Sequence, residues 1–118
     1  MKSICIMRDI YKALNEFESS LEQVHGVSLN EAMVLCCIND QTLTASAISE
    51  QTGIKASHLS KVIRSIEEKK MIGRALGEKD KRQMYFSLTD SGKKCLSDMK
   101  CNTIEIPEIL KPLFDETA

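Results

Sequence analysis

Lysine and arginine crowd one stretch of this 118-residue chain. From Lys55 to Lys94 there are eleven basic residues against five acids, a net of +6, while the remainder holds five against twelve, a net of −7. The formal charge of −1 for the whole chain conceals this division. A locally basic third on an otherwise acidic chain has the chemistry to neutralise a polyanion, because phosphate binding and counterion release depend on positive charge gathered at one surface. A basic solvated surface without a partner has the same composition, so charge alone leaves both readings open.

Enzymatic chemistry has less to stand on. No nucleophile with its base, no phosphate-cradling glycine loop and no paired carboxylate site can be assembled from recognisable spacing, so the expectation is a non-enzyme. The five cysteines, Cys5, Cys36, Cys37, Cys95 and Cys101, are odd in number and lack a C-x-x-C pair. With only His25 and His58 beside them, the expectation is no disulfide framework, no metal and no cofactor. An apolar fraction of 42% with 28% charged residues is that of one soluble globular domain spanning residues 1–118. No apolar run approaches the roughly 20 residues that cross a bilayer. The start, Met1-Lys2-Ser3-Ile4-Cys5, lacks a long apolar stretch ending in a cleavage site, so a cytoplasmic location without a membrane partner is expected.

The elements that must position the basic groups follow from periodicity. Met7, Ile10, Leu14, Phe17, Leu21 and Val24 recur at alternating spacings of three and four, which predicts a first helix over residues 1–26 with Gly26 after its end. Ile4, Ile6 and Tyr11 widen its apolar surface beyond one stripe, as in a helix of a dimer core, although packing within one chain is equally compatible. Ser28-Leu29-Asn30-Glu31 has the form of a capping box, predicting a second helix to about Ile38, nearly all apolar and therefore buried, with Cys36 and Cys37 as small core residues. Thr44 caps and Gly53 ends a short third helix. In the next, about 56–69, Leu59, Val62, Ile63 and Ile66 form the inward stripe and Ser57, Lys61, Arg64 and Glu68 the outward one. Two helices joined by a tight glycine turn, the second with a polar basic outward face, make a helix-turn-helix.

After Lys69-Lys70 the period becomes two. Residues 72–76 and 82–88 read as two strands joined by the charged turn Gly77-Glu78-Lys79-Asp80-Lys81, with Met84, Phe86 and Leu88 on one face. Together they form a wing over about 72–88. Thr89 caps a further helix through roughly Cys101, with Lys93 and Lys94 in its first turns where they oppose the helix dipole. Ile109, Leu113 and Phe114 belong to a last apolar segment that Pro107 starts at the first helical position and Pro112 kinks or breaks. The fold class predicted is mainly α with a small two-stranded β wing.

From about Leu29 to Leu96 the chain resembles the MarR family of winged helix-turn-helix transcriptional regulators. The most specific part is the wing, where the family pattern R-x5-D-x-R-x5-L-T-x-x-G is met by Arg74, Asp80, Arg82, Leu88, Thr89 and Gly92. The resemblance implies a lobe over 28–92 that binds double-stranded DNA as a regulator, most often a repressor, acting as a homodimer on an inverted repeat. It implies Ser57, His58, Ser60, Lys61 and Arg64 in the major groove, and Arg82 in the adjacent minor groove. Asp80 would fix the wing turn, Lys79 and Lys81 would lie near phosphates, and Thr44, Ser46, Lys55 and Arg74 complete the expected DNA contacts. Dimerisation is expected through Met7, Ile10, Leu14, Phe17 and Leu21 of the first helix with Ile109, Leu113 and Phe114 of a shortened C-terminal helical segment, 90–118. A small aromatic or phenolic effector held between the dimer helices and the lobe is implied as well. As an alternative it implies thiol redox sensing through Cys5; a competing reading outside the resemblance is a winged-helix protein-interaction module without specific DNA binding, its basic face meeting an acidic partner. Two departures stand out: Lys55 occupies the position of the usual Ser, Thr or Asp cap of the recognition helix, so the cap moves to Ser57 or is lost, and Lys70 stands where a glycine commonly follows that helix.

Overall fold

The structure, a computed structural model, describes residues 2–77 and 83–114. Helix α1 runs Lys2–His25 and α2 Leu29–Ile38; a two-residue strand β1, Leu43–Thr44, leads into α3, Ala45–Thr52, and α4, Ala56–Glu68. Strands β2, Ile72–Leu76, and β3, Met84–Leu88, follow, then α5, Asp90–Cys101, a 3-10 turn at Glu108–Leu110 and a final turn α6, Lys111–Phe114. Side-chain oxygens start three of these helices. Ser28 accepts from the Glu31 amide while the Glu31 carboxylate accepts from the Ser28 amide, the reciprocal capping box. Thr44 accepts from the Ala47 amide and Thr89 from the Gly92 amide. Gly26 (φ 72°) and Gly53 (φ 80°) take the left-handed conformation that lets the chain reverse after α1 and α3.

Helix α4 departs from this pattern at both ends. Lys55 is its N-cap and provides no side-chain hydrogen bond, so the cap is lost rather than moved to Ser57. Beyond its C-terminus Lys70 sits at φ 61°, in the left-handed region, where the Met71 amide donates back to the Ile66 carbonyl. That conformation costs an L-residue roughly 1–2 kcal/mol, of which glycine's greater freedom in the unfolded chain returns part. Lys70→Gly is therefore expected to stabilise the protein by about 0.5 kcal/mol, seen as a higher urea midpoint at unchanged slope. A lower midpoint would show that the lysine carries no strain there.

The sheet has three strands rather than the two read from the sequence. Its order is β1-β3-β2, antiparallel, with Leu43 opposite Phe86, Thr44 opposite Tyr85 and Arg74 also opposite Phe86. A strand of two residues is too short to show any alternation, which is why β1 escapes a pattern search.

The core gathers where α2, α3 and α4 meet the sheet and α5: Val34, Leu35 and Ile38 of α2, Ile48 of α3, Leu59, Val62, Ile63 and Ile66 of α4, Phe86 and Leu88 of β3, and Cys95 and Leu96 of α5 are all buried, joined by Leu21 from α1. The inward stripe expected on α4 is the observed one. The expectation for Cys36 and Cys37 is not met: Cys36 is exposed and Cys37 half-buried, its thiol donating to Gln51 Oε1 at 3.2 Å. The buried face of α2 runs through residues 31, 34, 35 and 38, and at 100° per residue Cys36 and Cys37 turn away from it. At the C-terminal end Pro107 precedes the 3-10 turn as its cap rather than starting a helix, and Pro112 is the second residue of α6. There it lies in a first turn, where a missing amide proton is tolerated, so it does not break the segment.

Candidate nucleic-acid interface

Burial of one face of α4 fixes what the other can do. With Leu59, Val62, Ile63 and Ile66 at most 7% exposed, the helix cannot rotate without opening the core, and Ser57, His58, Ser60, Lys61 and Arg64 are held together on its exposed side. Lys55 is exposed just before them. Ser60 Oγ donates to the Ala56 carbonyl at 3.2 Å, and His58 Nε2 lies 3.1 Å from Asn30 Nδ2, which ties the first turn of the helix to α2. On α3 Ser46 is exposed in the first turn, whereas Thr44 is half-buried with its hydroxyl committed to the cap. Ser46, Ser49 and Ser60 line a cleft of about 380 Å³ between α3 and α4. Lys93 and Lys94 are exposed at the start of α5. Lys79, Asp80, Lys81 and Arg82 lie outside the described residues.

Arg74, expected among the DNA contacts, is engaged by the protein itself. Its Nε donates to Glu67 Oε2 at 2.6 Å and its Nη2 to Glu67 Oε1, a two-pronged pair across the turn from α4 to β2, and its guanidinium lies 5.3 Å from the centroid of the Phe86 ring. No signal in the sequence pairs these residues, because seven positions separate them across a change from helical to strand period.

A second group that sequence reading missed in part is centred on Glu31. Its capping role was legible, but the residue is also buried, at 4% exposure, and joins three helices. Oε2 accepts from Ser65 Oγ at 2.6 Å and Oε1 from Lys69 Nζ at 2.7 Å. Lys69 Nζ donates as well to the Gly26 carbonyl at the end of α1, and Glu18 of α1 accepts from the Leu29 amide. Burial raises the Glu31 pKa, but hydrogen bonds from Lys69, Ser65 and the Ser28 amide, with the lysine's charge, outweigh it and hold the carboxyl below its ordinary value. The end of α4 is thereby tied to the start of α2.

The residues expected at a dimer interface divide by depth. Leu21 is buried and Ile10 and Phe17 are half-buried, whereas Met7 (65% exposed) and Leu14 point outward with Ile4, Ile6 and Tyr11. At the other end of the chain Leu113 (80% exposed), Phe114 and Ile109 are exposed, and Leu110 between them is buried. A groove of about 340 Å³ opens between α1, α2 and α5, walled by Phe17, Leu21, Leu29, Met33, Leu96 and Ile104, with Cys36 and His25 at its margin. His25 Nε2 is 2.8 Å from the Asn102 carbonyl. Cys5 is exposed on α1, while burial pushes the Cys95 thiol pKa up. Among the described residues no group of three or more His, Cys, Asp or Glu could hold a metal ion, and no helix is long and apolar enough to cross a membrane.

Known proteins share this arrangement. The fold superposes on MepR of Staphylococcus aureus in complex with DNA with a TM-score of 0.80 at 21% identity, over 99% of this chain and 87% of that one. It superposes on BpsR of Bordetella bronchiseptica, whose DNA binding is regulated by 6-hydroxynicotinic acid, with a TM-score of 0.79 at 17% identity, over 98% and 81%. These superpositions bear out the winged helix-turn-helix fold that the resemblance implied. In sequence, 57 residues are 32% identical to YwaE of Bacillus subtilis strain 168, named an HTH-type transcriptional regulator; they make up 48% of this chain and only 33% of that protein. The family model for the transcriptional regulators SarA and Rot matches residues 16–99, from the middle of α1 through α5. The chain therefore belongs to the SarA/Rot family of transcriptional regulators, built on the MarR-type winged helix.

Proposed function

We propose that the protein is a cytoplasmic, sequence-specific regulator that binds double-stranded DNA, a repressor acting as a homodimer on an inverted repeat. The observation that carries this reading is the two-sidedness of α4: one face is locked into the core, and the other presents two hydroxyls, an imidazole and two cations, with Ala56 and Glu68 exposed at the helix ends. Ser57, His58 and Ser60 read base edges in the major groove, Lys61 and Arg64 add base or phosphate contacts, and Arg82 enters the minor groove beside them. Asp80 fixes the wing turn, and Lys55, Lys79, Lys81 and the first turn of α3, with Thr44 and Ser46, hold the backbone. The DNA complex of MepR, similar in fold, supports a duplex as the partner.

A second copy of the chain covers the outward residues of α1 and α6. Two recognition helices related by a twofold axis then meet half-sites about one turn, ~10 bp, apart. The apolar groove beside α1 supports a small aromatic or phenolic effector that releases the DNA by changing the spacing of those helices.

Fluorescence anisotropy on a bound duplex over a range of salt tests the contacts. Arg82→Ala is expected to weaken binding about tenfold, and Lys61→Ala to lower the slope of log affinity against log salt by about one. Unchanged affinity and slope in both variants would remove the helix and the wing as the DNA-contacting elements.

A further inference from the structure

We propose that Glu67 and Arg74 are positioning residues, a latch that holds the root of the wing against the last turn of the recognition helix. The proposal rests on the DNA-binding reading above and assigns Arg74 a role one step behind the contact surface. Its guanidinium is used on two sides: the edge carrying Nε and Nη2 is forked to both oxygens of Glu67, and the plane lies over Phe86. Phe86 belongs to β3, the middle strand, where it faces Arg74 on one side and Leu43 on the other. The side chain thus joins α4 to the centre of the sheet.

The backbone between these elements is short and strained. Only residues 69–71 separate α4 from β2, and Lys70 there is left-handed, a conformation that the contacts around the link must maintain. A half-exposed ion pair adds little to overall stability. A forked, planar one defines an orientation, which lysine cannot reproduce with a single ammonium.

This gives Glu67→Gln opposite signs under the two roles available to Arg74. If Arg74 contacted phosphate directly, removing the acid would free it and tighten binding. If it is a latch, loss of the acid loosens the wing and weakens binding even though a negative charge has gone. Affinity for a duplex recovered from a random pool, measured by anisotropy at several salt concentrations, separates these, together with amide exchange in β2 and β3 without DNA. The expected results are a roughly 3- to 10-fold loss for Glu67→Gln, Arg74→Ala and Arg74→Lys alike, an unchanged salt slope, and no further loss in the double variant. Exchange in both strands should be faster in all of them.

Tighter or equal binding by Glu67→Gln, a salt slope lowered by about one in Arg74→Ala, or rescue by Arg74→Lys would overturn the latch in favour of a direct phosphate contact. Should the wild-type protein bind no duplex, the DNA-binding reading fails by itself. In that case unchanged exchange in β2 and β3 would overturn the latch, and faster exchange would sustain it as a structural brace.

Discussion

Gly92→Ala is expected to lower the unfolding free energy by about 3 kcal/mol, toward the upper end of what overpacking costs. A Cβ at this position would lie 2.0 Å from the Met71 carbonyl oxygen and 3.0 Å from its carbonyl carbon. Backbone cannot swing aside as a flexible side chain can, and this backbone is held by two bonds: the Thr89 amide donates to the Met71 carbonyl at 3.0 Å, and the Thr89 hydroxyl to the Lys70 carbonyl at 2.7 Å. The same hydroxyl caps α5. Relief of the overlap must therefore move α5 away from the turn that ends α4. Alanine at Gly73 is the control, since nothing lies within 4 Å of its added carbon. Urea denaturation of both variants checks this, and a Gly92→Ala midpoint equal to that of Gly73→Ala contradicts the close approach.

Glu31→Ala is the second large loss, about 2–3 kcal/mol, because it leaves Ser65, Lys69 and the Ser28 amide without their common acceptor. Glu31→Gln keeps one acceptor oxygen for the cap while it removes the charge and turns the other oxygen into an NH2 donor, so its loss is smaller. The effect has a defined pH dependence. The folded-state pKa lies below the ordinary glutamate value of 4.5, so the unfolded chain takes up the proton first as pH falls. Stability from the ionised carboxylate is present in full above 4.5 and is lost as pH drops through the lower folded value. The gap in unfolding free energy between wild type and Glu31→Gln should narrow over that acid range and stay constant from there to neutrality. A gap that persists unchanged into acid would mean that the carboxylate is not held ionised by its partners.

What the sequence discloses depends on whether the physics is periodic or local. The helix α1 and the stripe of α4, the box at Ser28 and Glu31, the caps at Thr44 and Thr89 and the left-handed glycines at 26 and 53 each have their cause within a few residues, and all stand in the structure as read, whereas of the α1 stripe only Leu21 is buried. Helix α2 marks the limit. Its sequence is apolar nearly all round, so nothing in it says which side faces inward, and Cys36 and Cys37 were assigned to a core that they do not enter. Glu31, the one acid in that helix, is buried, and the i, i+3, i+4, i+7 series it forms with Val34, Leu35 and Ile38 becomes legible only once a charged residue is allowed on the inner face.

Long-range pairs leave no periodic trace at all. β1 meets β3 across forty-one to forty-three residues, Glu31 meets Lys69 across thirty-eight, and Glu67 meets Arg74 across a change of period. At the candidate interface the outward set on α4 followed from its inward stripe, because a helix with one face fixed has the other fixed too. Arg74 was placed with that set on charge and motif, and its protein partners were not visible there.

The central claim, sequence-specific recognition of duplex DNA by a twofold assembly, is tested most directly by selecting random duplexes on the purified protein at two salt concentrations and sequencing what is retained. The predicted result is enrichment of an inverted repeat with half-sites about 10 bp apart that persists at the higher salt. Retention that disappears with salt and carries no sequence pattern would contradict the claim and leave the basic third of the chain as a general polyanion surface.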